Sequence, residues 1–344
     1  MRNVRIGNFI LGEEHPTHII AEIGGNFTDF EGAKRLIDLA LDAGADSVKL
    51  QTYRAETISS RKAIYDMPNV GRGASQFDLF KAYEVDFSLH REIWDYCRAR
   101  GVLVFSTPSH MNDVELLEKL DCEVYKIGSD DACNIPFLRD VAAIGKPIIL
   151  STGMCTMHEV RESVSAILGT GNPDLVLLQC VTNYPSDPAH ANLRAIEAMK
   201  REFALPIGYS DHTTNNYACF AAAALGACAV EKHFTHDKNA KGPDHMLSAD
   251  PADLRALVEG IRTIEAALGD GVKRPSEGER KTRVNNRKSL VALGGIKAGT
   301  VITHDMVAIK RPGYGIPPKY RDEVIGRIAR VDIEAEVPIT WDDV

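Results

Sequence analysis

Short runs of β-branched and other apolar residues recur along the chain, and most lead into a segment whose apolar positions fall three and four residues apart. The first run, HIIAEI (18–23), precedes a stretch in which Ala33, Leu36, Ile37, Ala40 and Leu41 share one helical face. Further runs lie at 46–51 (DSVKLQ), 102–107 (VLVFST), 123–128 (EVYKIG), 146–152 (KPIILST), 174–180 (DLVLLQC), 205–210 (LPIGYS) and 227–233 (ACAVEKH). Eight strands alternating with helices predict an α/β fold, a parallel (β/α)8 TIM barrel spanning residues 1–270, a usual length for that architecture. An open doubly wound sheet is the alternative. No GxGxxG follows the first strand to favour it.

The pattern changes after the helical stretch at 254–269. Residues 271–288, GVKRPSEGERKTRVNNRK, are polar and charged, as a linker or extended arm would be. From 289 to 344 short strands and tight turns predict a small β-rich domain. The longest gap within the barrel, 52–101, is expected to carry an active-site loop around DMPNVGRGASQ, whose glycines favour irregular backbone.

Composition narrows the function. The formal charge of −8 speaks against nonspecific nucleic-acid binding, so an anionic substrate would need a local cluster of cations. No apolar run reaches the roughly 20 residues of a membrane span, and the N-terminus lacks the apolar core and cleavage site of a secretory signal. Seven scattered cysteines without a CxxC pair fit reduced thiols, and a cytoplasmic setting is expected.

Polar residues gather where a barrel places its chemistry, at the C-terminal strand ends. Glu22 closes the first strand, Lys49 and Gln51 lie on the second, and Thr107 ends the third. Lys126 and Ser129 follow on the fourth and Ser151 on the fifth, with Tyr184 after the sixth. Ser210 and His212 follow the seventh, and Glu231 and His233 end the eighth. Alternation sets Ser47, Lys49 and Gln51 on one side of their strand, and that side must be the lumen if the outer helices are to meet apolar surface. Inward lysines are unfavourable without an anion. Glu22 and Glu231 could be structural partners for them. Lysines joined by several hydroxyls also suit a ligand that carries both phosphate and carboxylate. His212 and His233, just beyond neighbouring strands, could share one divalent ion, with Mn²⁺ or Mg²⁺ favoured over structural zinc. Asp211 reads equally well as a loop or cap residue and is not counted as a ligand.

The strings IIAEIGGN, GADSVKLQT, FSTP, YKIGS, KPIILSTGM, YSDHT, EKHFT and GPDH, with SLVA and KRPGYG near the end, resemble the sialic acid synthase (N-acetylneuraminate synthase) family across essentially the whole chain. The resemblance implies a transferase that condenses phosphoenolpyruvate with an amino-sugar aldehyde and releases phosphate. It implies that Lys49, Thr107, Lys126, Ser129, Ser151 and Ser210 hold phosphoenolpyruvate, and that His212 and His233 bind the metal. Glu22, Gln51, Tyr184 and Asp244 would face the acceptor, which could be N-acetylmannosamine, its 6-phosphate or a diacetamido-trideoxy sugar. The C-terminal part resembles an antifreeze-like (SAF) domain, whose Arg311 would reach the partner's barrel in a domain-swapped homodimer.

The chain departs from the family pattern at Phe27-Thr28-Asp29, at Thr182 in place of a frequent asparagine, and in the 52–101 loop, where Asn69 and Gly71 are both near the position of an acceptor-touching asparagine. Two rival functions remain at this level: a Schiff-base aldolase acting on pyruvate through Lys126 or Lys49, and a noncatalytic sugar-binding protein of polysaccharide assembly.

Overall fold

The computed structural model describes residues 2–65, 71 and 73–344. Two short strands come first, β1 (Val4–Ile6) and β2 (Phe9–Leu11). The barrel strands follow as β3 (His18–Glu22), β4 (Ser47–Thr52), β5 (Leu103–Pro108), β6 (Tyr125–Ile127), β7 (Ile148–Ser151), β8 (Leu175–Cys180), β9 (Ile207–Asp211) and β10 (Ala229–His233). They are joined in parallel in chain order, and β10 pairs with β3 to close the ring. The (β/α)8 barrel expected from the sequence is the fold observed.

Local chemistry sets the helix limits. The helix Phe30–Asp42 starts where Asp29 accepts the amide of Gly32, and it turns Ala33, Leu36, Ile37 and Ala40 inward. Helix Phe87–Arg100 starts on Asp86 and stops at Gly101, whose φ of 67° lets the backbone enter the left-handed region. Helix Met157–Leu168 opens with a Thr156–Glu159 capping box.

Strand register decides what faces the lumen. Glu22 lies level with Lys49, Gln51 with Thr107, Ser151 with Leu178, and Glu231 with both Ile20 and Ser210. Neighbours at one level of a parallel sheet point the same way. Polar side chains therefore collect at the C-terminal end of the lumen, where buried Phe105 is level with Lys49, buried Leu178 is level with Ser151, and buried Ile149 precedes Ser151 by two residues on β7.

The β1–β2 hairpin was not anticipated, because three-residue strands are too short to show alternation. Val4, Ile6 and Leu11 join the barrel core. Phe9 packs edge-on against His18 at 4.5 Å, and His18 in turn bonds Ser47 across the base of the lumen at 2.8 Å. The hairpin thus closes the barrel's N-terminal end.

Residues Asp270–Val344 form a second compact unit. Its own core holds Leu290, Ala292, Ile302, Ile316, Val324 and Ile339. Strands β11 (Ser289–Ala292) and β12 (Val307–Lys310) pair antiparallel in it. The stretch expected to be a linker contains a helix, Glu279–Asn286, every residue of which is exposed. Its polar surface hid it from a pattern search, because an all-polar helix has no apolar stripe to detect.

Candidate functional site

A cavity of about 430 Å³ opens at the C-terminal strand ends. At its base Lys49, nearly fully buried, pairs with Glu22 and lies 3.4 Å from Glu231 Oε1. Lys126 lies 3.5 Å from the same oxygen. Lys49 Nζ also donates to Thr107 Oγ1 at 3.2 Å, and the Ser210 hydroxyl donates to Glu231 at 3.1 Å. Burial favours the neutral form of every group here, so the directions of their pKa shifts show which partner wins. Burial opposes the charge on Glu231, yet Lys126 and Lys49 hold its carboxyl down at about 2. Lys49 is likewise desolvated, but Glu22 and Glu231 raise it above the ordinary lysine value. Lys126, with one carboxylate nearby and Lys49 repelling it, is lowered chiefly by burial.

The pairing expected as the structural alternative is therefore present, but it leaves atoms unmatched. Among the described residues, buried Ser151 Oγ and Glu231 Oε2 have no hydrogen-bond partner. Orphaned polar atoms are rare in native interiors, and at a cavity wall they mark places where a ligand or water completes the set. Thr107, Ser129, Ser151 and Ser210 all line the cavity. The Ser129 hydroxyl oxygen accepts the amide of Gly153 at 2.9 Å, tying the loops after β6 and β7 together. A Cβ on Gly153 would sit 2.7 Å from that oxygen and 2.8 Å from Thr182 Cγ2, so a side chain there would displace both.

His212 and His233 meet above the lysines with ring centroids 5.3 Å apart. The carbonyl of Val181 can only accept, so His212 Nδ1 must donate to it at 2.7 Å, leaving Nε2 as the available ligand atom. Burial, then His212 and Lys49, keep the His233 imidazole neutral, well below its ordinary pKa. Its Nδ1 has no hydrogen-bond partner and lies 3.6 Å from Asp244 Oδ2. Among the described residues no group of three or more His, Cys, Asp or Glu encloses a metal position. Two imidazoles beside open cavity suit a divalent ion completed by water or substrate oxygens, and do not suit a closed structural site.

Gln51, Tyr184 and Asp244 line the upper cavity, with the Tyr184 ring 4.1 Å from His212. Burial, then the charge of Glu22, push the Asp244 carboxyl up to about 7. Glu22, expected to face the acceptor, is fully buried, paired with Lys49 and accepting the Gly24 amide at 2.5 Å. Its parity was legible, but its depth was not. Thr182 lines the cavity, whereas Asn183 is exposed and does not. Asn69 lies outside the described residues. Arg311 is exposed on the C-terminal unit, in a turn fixed by Ser289 donating to the Pro312 carbonyl at 2.6 Å and by Gly313 donating to Val284 at 2.9 Å.

Sequence reasoning missed the mouth of the cavity. Tyr53, Ile58, Tyr65, Leu79, Phe80 and Tyr83 form one wall there. A signal existed: Leu79, Phe80 and Tyr83 are spaced to share a face of the helix Gln76–Tyr83. That stretch lies in the 52–101 gap expected to carry an active-site loop, just past the string DMPNVGRGASQ (66–76).

Comparison with known proteins follows the same division of the chain. The profile of the NeuB family matches residues 36–273, and that of the SAF domain matches 287–344. An uncharacterised protein of Methanocaldococcus jannaschii is 40% identical over 344 residues, covering 100% of this chain and 99% of that one. The N,N'-diacetyllegionaminic acid synthase of Campylobacter jejuni is 40% identical, covering 91% of this chain and 96% of its own. The crystal structure of an N-acetylneuraminic acid synthetase from Leptospira borgpetersenii, in complex with citrate, superposes with a TM-score of 0.74 at 33% identity, covering 82% of this chain and 95% of that one.

Proposed function

The chain belongs to the NeuB family, and from that premise we propose that it condenses phosphoenolpyruvate with an amino-sugar aldehyde to give a nonulosonic acid and phosphate. The observation that carries this reading is the pair of desolvated ammonium groups, Lys49 and Lys126, beside the unpartnered Ser151 hydroxyl at the catalytic end of the barrel. Phosphoenolpyruvate offers a phosphate and a carboxylate to match them. Lys49 and Lys126, with the hydroxyls of Thr107, Ser129, Ser151 and Ser210, hold these two groups and so fix the enol carbon between them.

The alkene carbon attacks the aldehyde carbon, forming the new C–C bond as the carbonyl pair moves to oxygen. Water adds to the resulting cationic carbon, and the C–O bond to phosphate breaks. A divalent ion such as Mn²⁺ or Mg²⁺ held by His212 and His233 would polarise the aldehyde oxygen. Glu231 Oε2, buried and without a donor of its own, is a carboxylate oxygen that would accept a hydrogen bond from the attacking water. Glu22, paired with Lys49, sets the position of that lysine and is the second carboxylate that could activate the water. Once the substrate anion engages the lysines, their restraint on Glu231 eases and its basicity rises. Gln51, Tyr184 and Asp244 meet the acceptor, and Arg311 of a domain-swapped partner completes its site.

The test is phosphate release that depends on both substrates, abolished by chelation and restored by Mn²⁺ or Mg²⁺. Lys126→Ala should raise the KM for phosphoenolpyruvate by one to two decades, roughly the value of one desolvated charge-assisted contact, and leave that for the acceptor nearly unchanged. One feature favours the Schiff-base reading instead: the lowered pKa of Lys126 makes its amine a better nucleophile. Borohydride trapping of pyruvate on Lys126 would decide for that chemistry.

A further inference from the structure

All seven cysteines are free thiols, and two of them meet. Cys133 lies in the loop after β6 and Cys155 in the loop after β7, with their sulfurs 3.7 Å apart. Cys133 is exposed and Cys155 half-buried, whereas the other five are buried. Hydrogen bonds hold the two loops against each other around the pair. Ser163 of the helix Met157–Leu168 donates to the Ala132 carbonyl at 2.6 Å, and the Gly153 amide donates to Ser129 Oγ at 2.9 Å. Within the loops, the Ile135 amide donates to the Cys133 carbonyl at 2.9 Å and the Cys155 amide to the Thr152 carbonyl at 3.3 Å. Two thiols 22 positions apart in the chain are thus held in contact by backbone that is itself fixed.

The same loops carry part of the anion site. Ser129 stands four residues before Cys133 and Ser151 four before Cys155, and both serines line the cavity. A disulfide holds its sulfurs about 2.05 Å apart, so this pair would have to close by about 1.6 Å. At their cavity end the loops have no slack to give, because Gly153 leaves no room for even a Cβ against Ser129. Closure at the sulfur end therefore turns the loops about the Ser129–Gly153 contact. The Ser129 and Ser151 hydroxyls then leave the positions from which they can share one anion.

We propose that Cys133 and Cys155 form a reversible disulfide, with a low-molecular-weight disulfide as oxidant, and that this bond weakens the barrel's hold on phosphoenolpyruvate. Exposed Cys133 is the sulfur that such an oxidant reaches. Its thiolate attacks one oxidant sulfur and expels the other as a thiolate, which takes up the proton that Cys133 released. Cys155 then gives up its proton and attacks the Cys133 sulfur. The mixed disulfide breaks, and the second small thiol leaves with that proton. Two protein thiols are oxidised and one small disulfide is reduced to two thiols. Burial, then the hydrogen bond with Cys133, push the Cys155 thiol up to about 12, which makes the second exchange the slow one. In a reducing setting such bonds are transient and act as sensors. The effect on phosphoenolpyruvate rests on the condensation reading; the cross-link itself does not.

Full-length protein is incubated with oxidised glutathione, desalted and divided. One half is digested without reduction and its peptides are weighed. The other is assayed with Mn²⁺ for phosphate release at varied phosphoenolpyruvate, with whichever amino-sugar aldehyde the reduced protein uses. A peptide cross-linked between Cys133 and Cys155 should appear. The kcat/KM for phosphoenolpyruvate should fall by about tenfold, since displacements of about an ångström are enough for that. The acceptor KM should stay nearly unchanged, and dithiothreitol should restore activity. Cys133→Ser should match the reduced parent and ignore the oxidant, while Cys155→Ser should retain a glutathione adduct on Cys133. In the parent chain, a persistent adduct or two unmodified thiols would overturn the inference, as would a cross-link that leaves kcat/KM unchanged. Loss of activity in oxidant-treated Cys133→Ser would also overturn it, by placing the effect on another thiol such as cavity-lining Cys180. If the reduced protein releases no phosphate with any of the aldehydes, the condensation reading falls and the effect on phosphoenolpyruvate with it, while the peptide map still decides the cross-link.

Discussion

Between Glu231 and His233, which both face the lumen, Lys232 turns outward. Its ammonium meets Asp211 Oδ2 at 2.5 Å, the Thr213 carbonyl at 2.5 Å and the Asn215 carbonyl at 3.0 Å. Asp211 is fully buried and also accepts from the Thr213 amide and hydroxyl and from Tyr209. This cluster fixes the turn that carries His212 from behind. Lys232→Met alone should lose about 3–5 kcal/mol in urea unfolding, since it strands a buried carboxylate. Lys232→Met combined with Asp211→Asn should lose far less. Equal losses would mean that packing, and not charge pairing, holds the turn. The inward lysines and the histidine pair were legible in the sequence because strand parity exposes them. The burial of Glu22 and the use of Glu231 by both lysines were not, because parity gives a side and says nothing of height or of which neighbour wins a shared partner.

Elements are joined here by neutral polar chains that hydropathy does not reveal. His90 Nδ1 donates to the Asp86 carbonyl at 2.8 Å, while Nε2 accepts from the Thr52 hydroxyl at 2.8 Å, and Thr52 meets Ser106 at 2.6 Å. One helix and two barrel strands are thereby linked through an imidazole that must stay uncharged. Burial lowers His90 to about 4 and His18 to about 3. Both folded values lie below the unfolded value of about 6.5, so their stability contribution is complete above that pH. It declines as pH falls toward the folded values, by about 1.4 kcal/mol per pH unit for each histidine. Unfolding free energies at pH 7 and pH 5 should therefore differ by about 2 kcal/mol less in His90→Gln than in the parent chain. An unchanged difference would mean that His90 takes up its proton while folded. The eight barrel strands were readable from periodicity alone. The β1–β2 hairpin and the helix Glu279–Asn286 were not, the first for want of length and the second for want of any apolar stripe.

At the scale of the molecule, two units each bury a core of their own. Ending the chain at Gly269 should therefore leave a barrel that unfolds cooperatively, with little activity if Arg311 serves a partner's site. Mixing Arg311→Ala chains with Lys126→Ala chains sharpens the question. In a swapped dimer one of the two sites regains both groups, and activity should return on subunit exchange. Labelled chains that exchange without recovery would place Arg311 in service of its own barrel, or of none.

The hairpin that seals the base of the barrel has a consequence for traffic. With Phe9 edge-on against His18 at the N-terminal end, and with Phe105, Ile149 and Leu178 buried within the barrel, the cavity opens at the C-terminal strand ends. The lysines lie at its bottom and the aromatic wall at its rim. Under the condensation proposed above, the anion would have to arrive before the sugar, because a seated sugar would stand in its way. On the way out the order would reverse, with the sugar acid across the rim and phosphate, freed at the bottom, waiting behind it. Turnover would then run as a queue.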